Sequence, residues 1–276
     1  MILRRLGNKS KLAESIYKTF PKHHVYIEPF FGAGGLYFNK PKAMHNIVND
    51  IDDEVFNLWN VYTKQYDKLL EAIQNMPKSE SLFNYWKTND ESDSVLKALR
   101  FLMLSNFGVM GGSSLRTSVN NDKKILTDNY INNRNCIDDI TICNLDFRKF
   151  YKNISYESMY VKNNFTVLSY SDPPYLGTTD NYSHSFKEQD LIDLFDINCA
   201  LAGKYPSKYY FAISEFNNPF ILEQAKQRNL NVIEIGERRN LGNRKMEILV
   251  CNYETELGLF DSLGGACNSK SSLAFV

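Results

Sequence analysis

The segment Val25-Tyr-Ile-Glu-Pro-Phe-Phe-Gly-Ala-Gly-Gly-Leu-Tyr37 has the pattern of a short buried strand, a tight glycine turn and the start of a helix. Gly32 and Gly34 lack a side chain, so the backbone can approach a ligand closely there. A second predicted strand, His45-Asn-Ile-Val-Asn49, leads into Asp50. A dinucleotide fold places an acid on ribose hydroxyls at about this distance from its glycine turn. The segment therefore predicts a Rossmann-like sheet with a nucleoside site.

The glycine turn lacks the features that bind a pyrophosphate. The complete Gly-x-Gly-x-x-Gly fingerprint is missing, and no segment resembles a phosphate-binding Walker lysine. A nucleoside ligand without pyrophosphate therefore fits better than NAD or ATP, and S-adenosylmethionine is such a ligand.

A second motif, Asp172-Pro-Pro-Tyr175, follows the β-branched and aromatic run Phe165-Thr-Val-Leu-Ser-Tyr170. This run predicts a buried strand that delivers the motif to the carboxyl edge of the sheet. Pro173 and Pro174 fix the backbone and remove two donors, so nearby carbonyls remain acceptors. The Asp172 carboxylate and the Pro173 carbonyl can then accept both hydrogens of an exocyclic amine, while Tyr175 offers a ring to an unstacked base. Taken alone, the tetrapeptide also fits a proline-rich turn with a capping Asp.

Four blocks together resemble the Dam-like, D12 class (alpha group) of DNA adenine-N6 methyltransferases, and they occur in the family's order. They are Arg5-Leu-Gly-Asn-Lys-Ser-Lys-Leu12, Glu28-Pro-Phe-Phe-Gly-Ala-Gly-Gly35 with Asn49-Asp50-Ile51-Asp52, Asn144-Leu-Asp-Phe147, and Asp172-Pro-Pro-Tyr175. The resemblance implies an α/β fold, namely a Rossmann-like S-adenosylmethionine-dependent methyltransferase sheet with an inserted, mainly helical DNA-recognition subdomain.

The resemblance also implies how the cofactor is held. Lys9 would meet the methionine carboxylate, Asp50 the ribose hydroxyls, and Asp146 with the Phe147 amide the adenine. Arg5 stands where the family often has an aromatic residue. The complete set of predicted cofactor residues is Arg5, Lys9, Glu28, Pro29, Phe30, Gly32, Gly34, Asp50, Ile51, Asp146, Phe147 and Asp172.

The chain between the second and third predicted strands is too long for a simple crossover. Apolar stripes over Val55, Leu58, Trp59 and Tyr62, and over Val95, Leu96, Leu99, Leu102 and Met103, indicate two helices with buried faces. We therefore predict an inserted target-recognition subdomain at 57–135, a catalytic domain at 1–56 plus 136–255, and a tail at 256–276. The predicted strands lie near 25–29, 46–50, 139–143, 165–170, 208–214 and 246–252.

Candidate DNA contacts follow from local basic residues, because the formal net charge is zero. The Gly/Asn-rich stretch 106–125 predicts a hairpin at the place where the family reads DNA. It carries Arg116, Lys123 and Lys124, and a second cluster contains Arg239 and Arg244. The stretch lacks the Arg-Tyr-Asn and Asn-Val-Pro-Phe-Gly elements of the GATC-reading members, so the resemblance does not imply GATC specificity.

Composition excludes several other classes. The five cysteines show no metal spacing and fit reduced thiols of a cytoplasmic protein, and no Pro-Cys turn supplies the thiolate of a cytosine-C5 enzyme. The four histidines are scattered, so we predict no metal site. We identify no signal peptide and no apolar run long enough to cross a bilayer, and expect no membrane partner.

The sequence thus predicts site-specific adenine-N6 methylation of double-stranded DNA by base flipping and direct transfer from S-adenosylmethionine. A cytosine-N4 methyltransferase uses the same chemistry, although Asp172 in place of a serine favours adenine. RNA methylation and a non-catalytic DNA-binding module are further alternatives. A cognate restriction endonuclease is a candidate partner.

Overall fold

The computed structural model describes residues 2–5, 7–109, 114–116, 122–176, 186–239 and 244–255. Its strands are β1 (Val25–Glu28), β2 (His45–Asn49), β3 (Ile140–Cys143), β4 (Val167–Ser171), β5 (Tyr209–Phe216), β6 (Asn231–Arg239) and β7 (Arg244–Cys251). Its α-helices are α1 (Ala13–Tyr17), α2 (Asp53–Lys64), α3 (Tyr66–Asn75), α4 (Glu80–Thr88), α5 (Ser94–Phe107), α6 (Asp122–Asn132), α7 (Phe147–Asn153), α8 (Glu188–Lys204) and α9 (Pro219–Gln227).

The strands form one sheet in the order β3-β2-β1-β4-β5-β7-β6. Strands β1 to β5 pair in parallel, whereas β7 runs antiparallel to both β5 and β6. This is the doubly wound order 3-2-1-4-5-6 with an antiparallel strand inserted before the last. The Rossmann-like methyltransferase fold predicted from the sequence is confirmed. The strand order reverses between β1 and β4, and ligands of such sheets bind outside the carboxyl ends at this point.

Both faces of the sheet are covered by helices. Successive side chains of each strand point to opposite faces, so they alternate between two hydrophobic cores. Tyr26 and Leu168 belong to the core that contains α1 and α2, whereas Val25 and Val167 belong to the core that contains α7 and α8. All four residues of β1 are buried. The central strands are therefore rigid supports for the loops at their ends. Among the described helices, none is long and apolar enough to cross a bilayer.

Helices α2 to α6 fill the predicted insertion between β2 and β3. The predicted stripe of α2 is buried, and Trp59 and Tyr62 contribute to the same core as the adjacent face of the sheet. The stripe of α5 is buried at Leu99, Leu102 and Met103, but Leu96 was assigned wrongly, since it is 42% exposed. The helical character of the insertion is thus observed, and the boundaries 57 and 135 stay a prediction.

The hairpin predicted over 106–125 is wrong at both ends. Helix α5 continues to Phe107, stabilised by the Asn106 amide, which donates to the carbonyls of Leu102 and Ile2 at 3.0 Å. Helix α6 begins at Asp122. Between them, the described residues form one antiparallel bridge, from Gly108 to Leu115. The rest of 110–121, like the tail 256–276, lies outside the described residues.

Candidate active site

A cavity opens outside the carboxyl ends of β1, β2, β3 and β4, at the reversal of the strand order. All four sequence blocks contribute to its wall. Of the predicted site residues, those that line it are Arg5, Lys9, Pro29, Phe30, Gly32, Asp50, Ile51, Asp146, Phe147, Asp172 and Pro174. The sheet therefore gathers segments from distant parts of the chain, from Arg5 near the amino terminus to Asp190 on α8.

The glycine turn after β1 has a fixed shape. Gly32 and Gly34 have φ of 50° and 65°, in the left-handed region that favours glycine. A Cβ atom at Gly34 would lie 2.6 Å from the Phe38 ring, so a side chain does not fit there. The Gly32 carbonyl accepts from the Trp59 indole at 2.8 Å, which ties the turn to α2. The turn is thus held open beside the cavity by backbone geometry and by one buried aromatic residue.

Asp50 lies at the end of β2, directly across from the glycine turn. Its carboxylate accepts from the backbone N–H of Gly32 at 2.7 Å and of Asp52 at 3.0 Å. Burial raises its pKa, and these two hydrogen bonds oppose that rise. Arg5 pairs with the adjacent Asp52, with 2.6 Å between Nη2 and Oδ2. Asp50 therefore both shapes the turn and presents an acid to the cavity.

One side of the cavity is aromatic. The rings of Phe30, Phe147 and Phe186 lie 5.5 to 6.2 Å apart between centroids and form a tilted and edge-on trio. Asp146 caps α7 by accepting from the Arg148 N–H at 2.9 Å. This combination offers an aromatic, apolar wall beside a carboxylate, which suits an adenine ring.

Three further residues of this wall were missed from the sequence, namely Phe186, Arg148 and Asp190. The Arg148 guanidinium lies 4.3 Å from the Phe147 ring centre and pairs with Asp190 at 2.5 Å and Asp193 at 2.7 Å. Phe186 and Asp190 reach the cavity from the segment beyond residue 185. No local motif marks them, because their position depends on where α8 packs.

The Asp172-Pro-Pro-Tyr175 loop leaves β4 beside Lys9. The Lys9 ammonium lies 2.5 Å from Asp172 Oδ1 and 4.6 Å from the centre of the Tyr175 ring. Lys9 is 3% exposed, and its charge is compensated by the Asp172 carboxylate, which is 19% exposed. Tyr175 is also buried and donates its hydroxyl hydrogen to Glu247 Oε1 at 2.9 Å. Asp172 and Pro174 face the cavity, whereas Pro173 and Tyr175 stand behind them.

Glu28 lies outside the cavity lining. It is 2% exposed and accepts from the Tyr26 hydroxyl at 2.8 Å. Burial raises the pKa of its carboxyl group to about 8, a rise that the Tyr26 hydrogen bond and the Lys40 charge oppose. Gly34 likewise supports the turn without lining the cavity. A direct contact of Glu28 with a cofactor therefore receives no support from the geometry.

The predicted DNA-binding residues fall in two groups, one around the start of α6 and one where β6 meets β7. The Arg116 guanidinium is 3.3 Å from Asp122 Oδ1. On α6, Lys123 donates to the Met76 carbonyl at 3.0 Å and Lys124 pairs with Asp128 at 2.6 Å. The other two, Arg239 and Arg244, face each other across β6 and β7, and their side chains lie outside the described part. The described contacts engage these lysines and Arg116 within the protein.

The sheet order and the position of the cavity define a Rossmann-like α/β protein with a ligand cavity at the point where the strand order reverses. The family model for the D12 class N6 adenine-specific DNA methyltransferases matches residues 6–241. The chain belongs to this family, which confirms the resemblance of its four blocks.

Individual relatives are more distant. A DNA adenine methylase of Salmonella typhi is 28% identical over 115 residues, covering 40% of this chain and 41% of that protein. The chain thus matches less than half the length of that relative. The type II methyltransferase M1.LlaDCHI of Lactococcus lactis subsp. cremoris is 24% identical over 282 residues, 90% of this chain and 93% of that protein. A solved SAM-dependent methyltransferase from Agrobacterium tumefaciens covers 88% of this chain and 59% of its own, at 8% identity and a TM-score of 0.38.

Proposed function

We propose that this protein transfers the methyl group of S-adenosylmethionine to N6 of adenine at specific sites in double-stranded DNA. The observation that carries the proposal is the position of the Asp172 loop. The carboxylate stands at the wall of the nucleoside cavity, in a member of the D12 family, beside the buried ammonium of Lys9. A target amine and a methyl donor can therefore meet at one place.

The residues of the cavity fit S-adenosylmethionine. The aromatic trio suits the adenine ring, Asp50 suits the ribose hydroxyls, and Lys9 suits the methionine carboxylate. When bound, the cofactor supplies a methyl group that the cationic sulfur already activates, so the transfer requires no metal. The protein is left with positioning the methyl group and excluding water.

Asp172 and Pro173 would orient the target amine. The Asp172 carboxylate and the Pro173 carbonyl accept the two amine hydrogens and direct the nitrogen lone pair to the methyl carbon. The amine would displace the sulfur at the methyl carbon with the C–S electrons left on sulfur, and the proton lost from the amine would pass to the Asp172 carboxylate and on to solvent. A duplex base must leave the stack to reach this position. Tyr175 is 7% exposed behind the loop, and stacking of the unstacked base on its ring stays a prediction.

The same geometry accommodates the cytosine-N4 amine, so base choice is tested directly. Purified protein with tritium-labelled S-adenosylmethionine is incubated with unmethylated duplex DNA or with RNA, and the product nucleosides are separated. We expect label in N6-methyladenine from DNA. Label in N4-methylcytosine would identify cytosine as the target base, and label in RNA would identify RNA as the substrate. Absence of label would support the non-catalytic alternative.

We also propose that the protein acts beside a cognate restriction endonuclease in the cytoplasm. Support comes from the relative whose name is a type II methyltransferase and which matches over 93% of its length. Expression of the chain should protect cellular DNA from one endonuclease activity of matching site specificity. Digestion of DNA from expressing cells with a panel of endonucleases tests this, and uniform cleavage would contradict it.

A further inference from the structure

Glu247 lies behind the catalytic loop, on strand β7, and is 0% exposed. Its Oε1 accepts from the Tyr175 hydroxyl at 2.9 Å and from the Ser214 hydroxyl at 3.3 Å. The same oxygen is 3.3 Å from the Lys9 ammonium. One buried carboxylate thus contacts the amino-terminal block and the catalytic loop at once.

The strand register explains why Tyr175 is held at two points. Phe216 on β5 and Glu247 on β7 are cross-strand partners. The Tyr175 ring packs edge-on against Phe216, with centroids 4.5 Å apart at 81°, while its hydroxyl reaches Glu247. Adjacent positions of two strands therefore fix both the ring and the hydroxyl. This arrangement limits rotation of the Tyr175 side chain.

Charge gives Glu247 a second effect. Lys9 is a buried cation between two carboxylates, at 2.5 Å from Asp172 and 3.3 Å from Glu247. A buried charge is strongly drawn to whatever counter-charge is near, because water does not compensate it. Without the charge on Glu247, the Lys9 ammonium would be held by Asp172 more strongly. The Asp172 carboxylate would then accept hydrogen bonds from a target amine less readily.

We propose that Glu247 is a positioning residue for methyl transfer. Its hydrogen bond fixes the Tyr175 hydroxyl, and its charge draws the Lys9 ammonium partly away from Asp172. Glu247 itself does not touch the substrate. The inference rests on the proposed adenine methylation, and it adds a residue outside the four sequence blocks.

The test compares Glu247→Gln with the wild-type protein in single-turnover transfer to unmethylated duplex DNA at saturating cofactor. Glutamine keeps the size of the side chain and removes its charge. We expect the rate constant to fall about tenfold, because glutamine replaces a charge-assisted hydrogen bond from Tyr175 by a neutral one and removes a counter-charge from Lys9. The matched control is Glu234→Gln, which removes a charge from an exposed position on β6 and should keep the wild-type rate.

A double-mutant cycle with Tyr175→Phe separates positioning from a general effect on stability. Tyr175→Phe alone should slow transfer several-fold, because the ring stays and its anchor is lost. If Glu247 acts through this hydroxyl, the double variant should be within about twofold of the slower single variant. Thermal unfolding midpoints of both single variants should stay close to that of the Glu234 control.

Three results would overturn the inference: a wild-type rate for Glu247→Gln, multiplied losses in the double variant, or a rate loss that only follows a lower unfolding midpoint. If Glu247→Gln does not fold, Tyr175→Phe decides alone, and a wild-type rate there contradicts the anchoring role. A wild-type protein that methylates no adenine would instead refute the proposed function.

Discussion

The ammonium of Lys9 lies 2.5 Å from Oδ1 of Asp172, so the sequence blocks 5–12 and 172–175 share one ion pair. The two residues are 163 positions apart in the chain. The segment before α1 and the loop after β4 bring them together at the reversal of the strand order. A change at either residue should therefore affect both binding and chemistry, although to different degrees.

Replacement of Asp172 by alanine should abolish methyl transfer. The carboxylate acts mainly on the target amine, so cofactor affinity should stay within a few-fold of wild type, with Lys9 still paired to Glu247. Single-turnover transfer and calorimetric titration with S-adenosylmethionine measure the two effects. Turnover close to wild type would remove Asp172 from the mechanism.

Lys9→Ala and Asp50→Ala should each weaken cofactor binding by about 1.5–3 kcal/mol, because each removes a charge-assisted contact. The loss should be larger for Asp50→Ala, since this carboxylate also accepts from the Gly32 and Asp52 N–H groups. Calorimetric titration of both variants tests this. Unchanged affinity in both variants would exclude the proposed placement of the cofactor. Lys124→Ala, which removes an exposed charge on α6, is the control variant.

Arg116→Ala should relax the methylation preference at one base pair of the target. An arginine can pair with guanine O6 and N7 and discriminate by about 1–3 kcal/mol. In the structure the guanidinium pairs with Asp122 at 3.3 Å, so this ion pair must open for base contact. Methylome sequencing of cells expressing the variant measures the motif. An unchanged motif at lower occupancy would assign Arg116 to the phosphate backbone or to bracing α6.

The free energy of unfolding should fall as pH rises and the buried carboxyl group of Glu215 loses its proton. Burial raises the pKa of Glu215 from 4.5 to about 8, so the folded state binds a proton that the unfolded state releases. Its contribution to the unfolding free energy is fully present below pH 4.5 and is lost as pH rises towards about 8. Glu215→Gln cannot ionise, and its unfolding midpoint should therefore decline less over this range. Parallel pH dependences of the two proteins would contradict the assignment.

Local patterns were sufficient for the strands and loops that carry the four blocks. The β-branched run before Asp172 and the glycines after Glu28 indicate a strand and a turn from nearby residues, and contacts with Asp50 and Trp59 then fix the turn. Strand β6 was not predicted, because Gly236 and the charged run Glu237-Arg238-Arg239 interrupt its short apolar pattern. Its pairing with β7 defines it as a strand.

The unpredicted part of the site depends on long-range packing. Phe186, Arg148 and Asp190 meet only after α7 and α8 pack on the sheet, and Glu247 meets Tyr175 only through the β5–β7 register. The predicted contact of Glu28 with a cofactor came from its motif, whereas the structure buries its side chain beside Tyr26. A motif thus identified the loop correctly without specifying which side chains point outward.

The antiparallel strand β7 has a consequence for biosynthesis. It lies between β5 and β6 although it follows both in the chain, so β6 joins the sheet through a neighbour that leaves the ribosome later. The catalytic loop is translated more than seventy residues before Glu247, as the Tyr175–Glu247 separation of 72 shows. A nascent chain that ends before β7 therefore has its cofactor turn and its Asp172 but lacks the contact that holds Tyr175. Methylating activity should emerge at the last stage of folding, after the sheet has closed around its final strand.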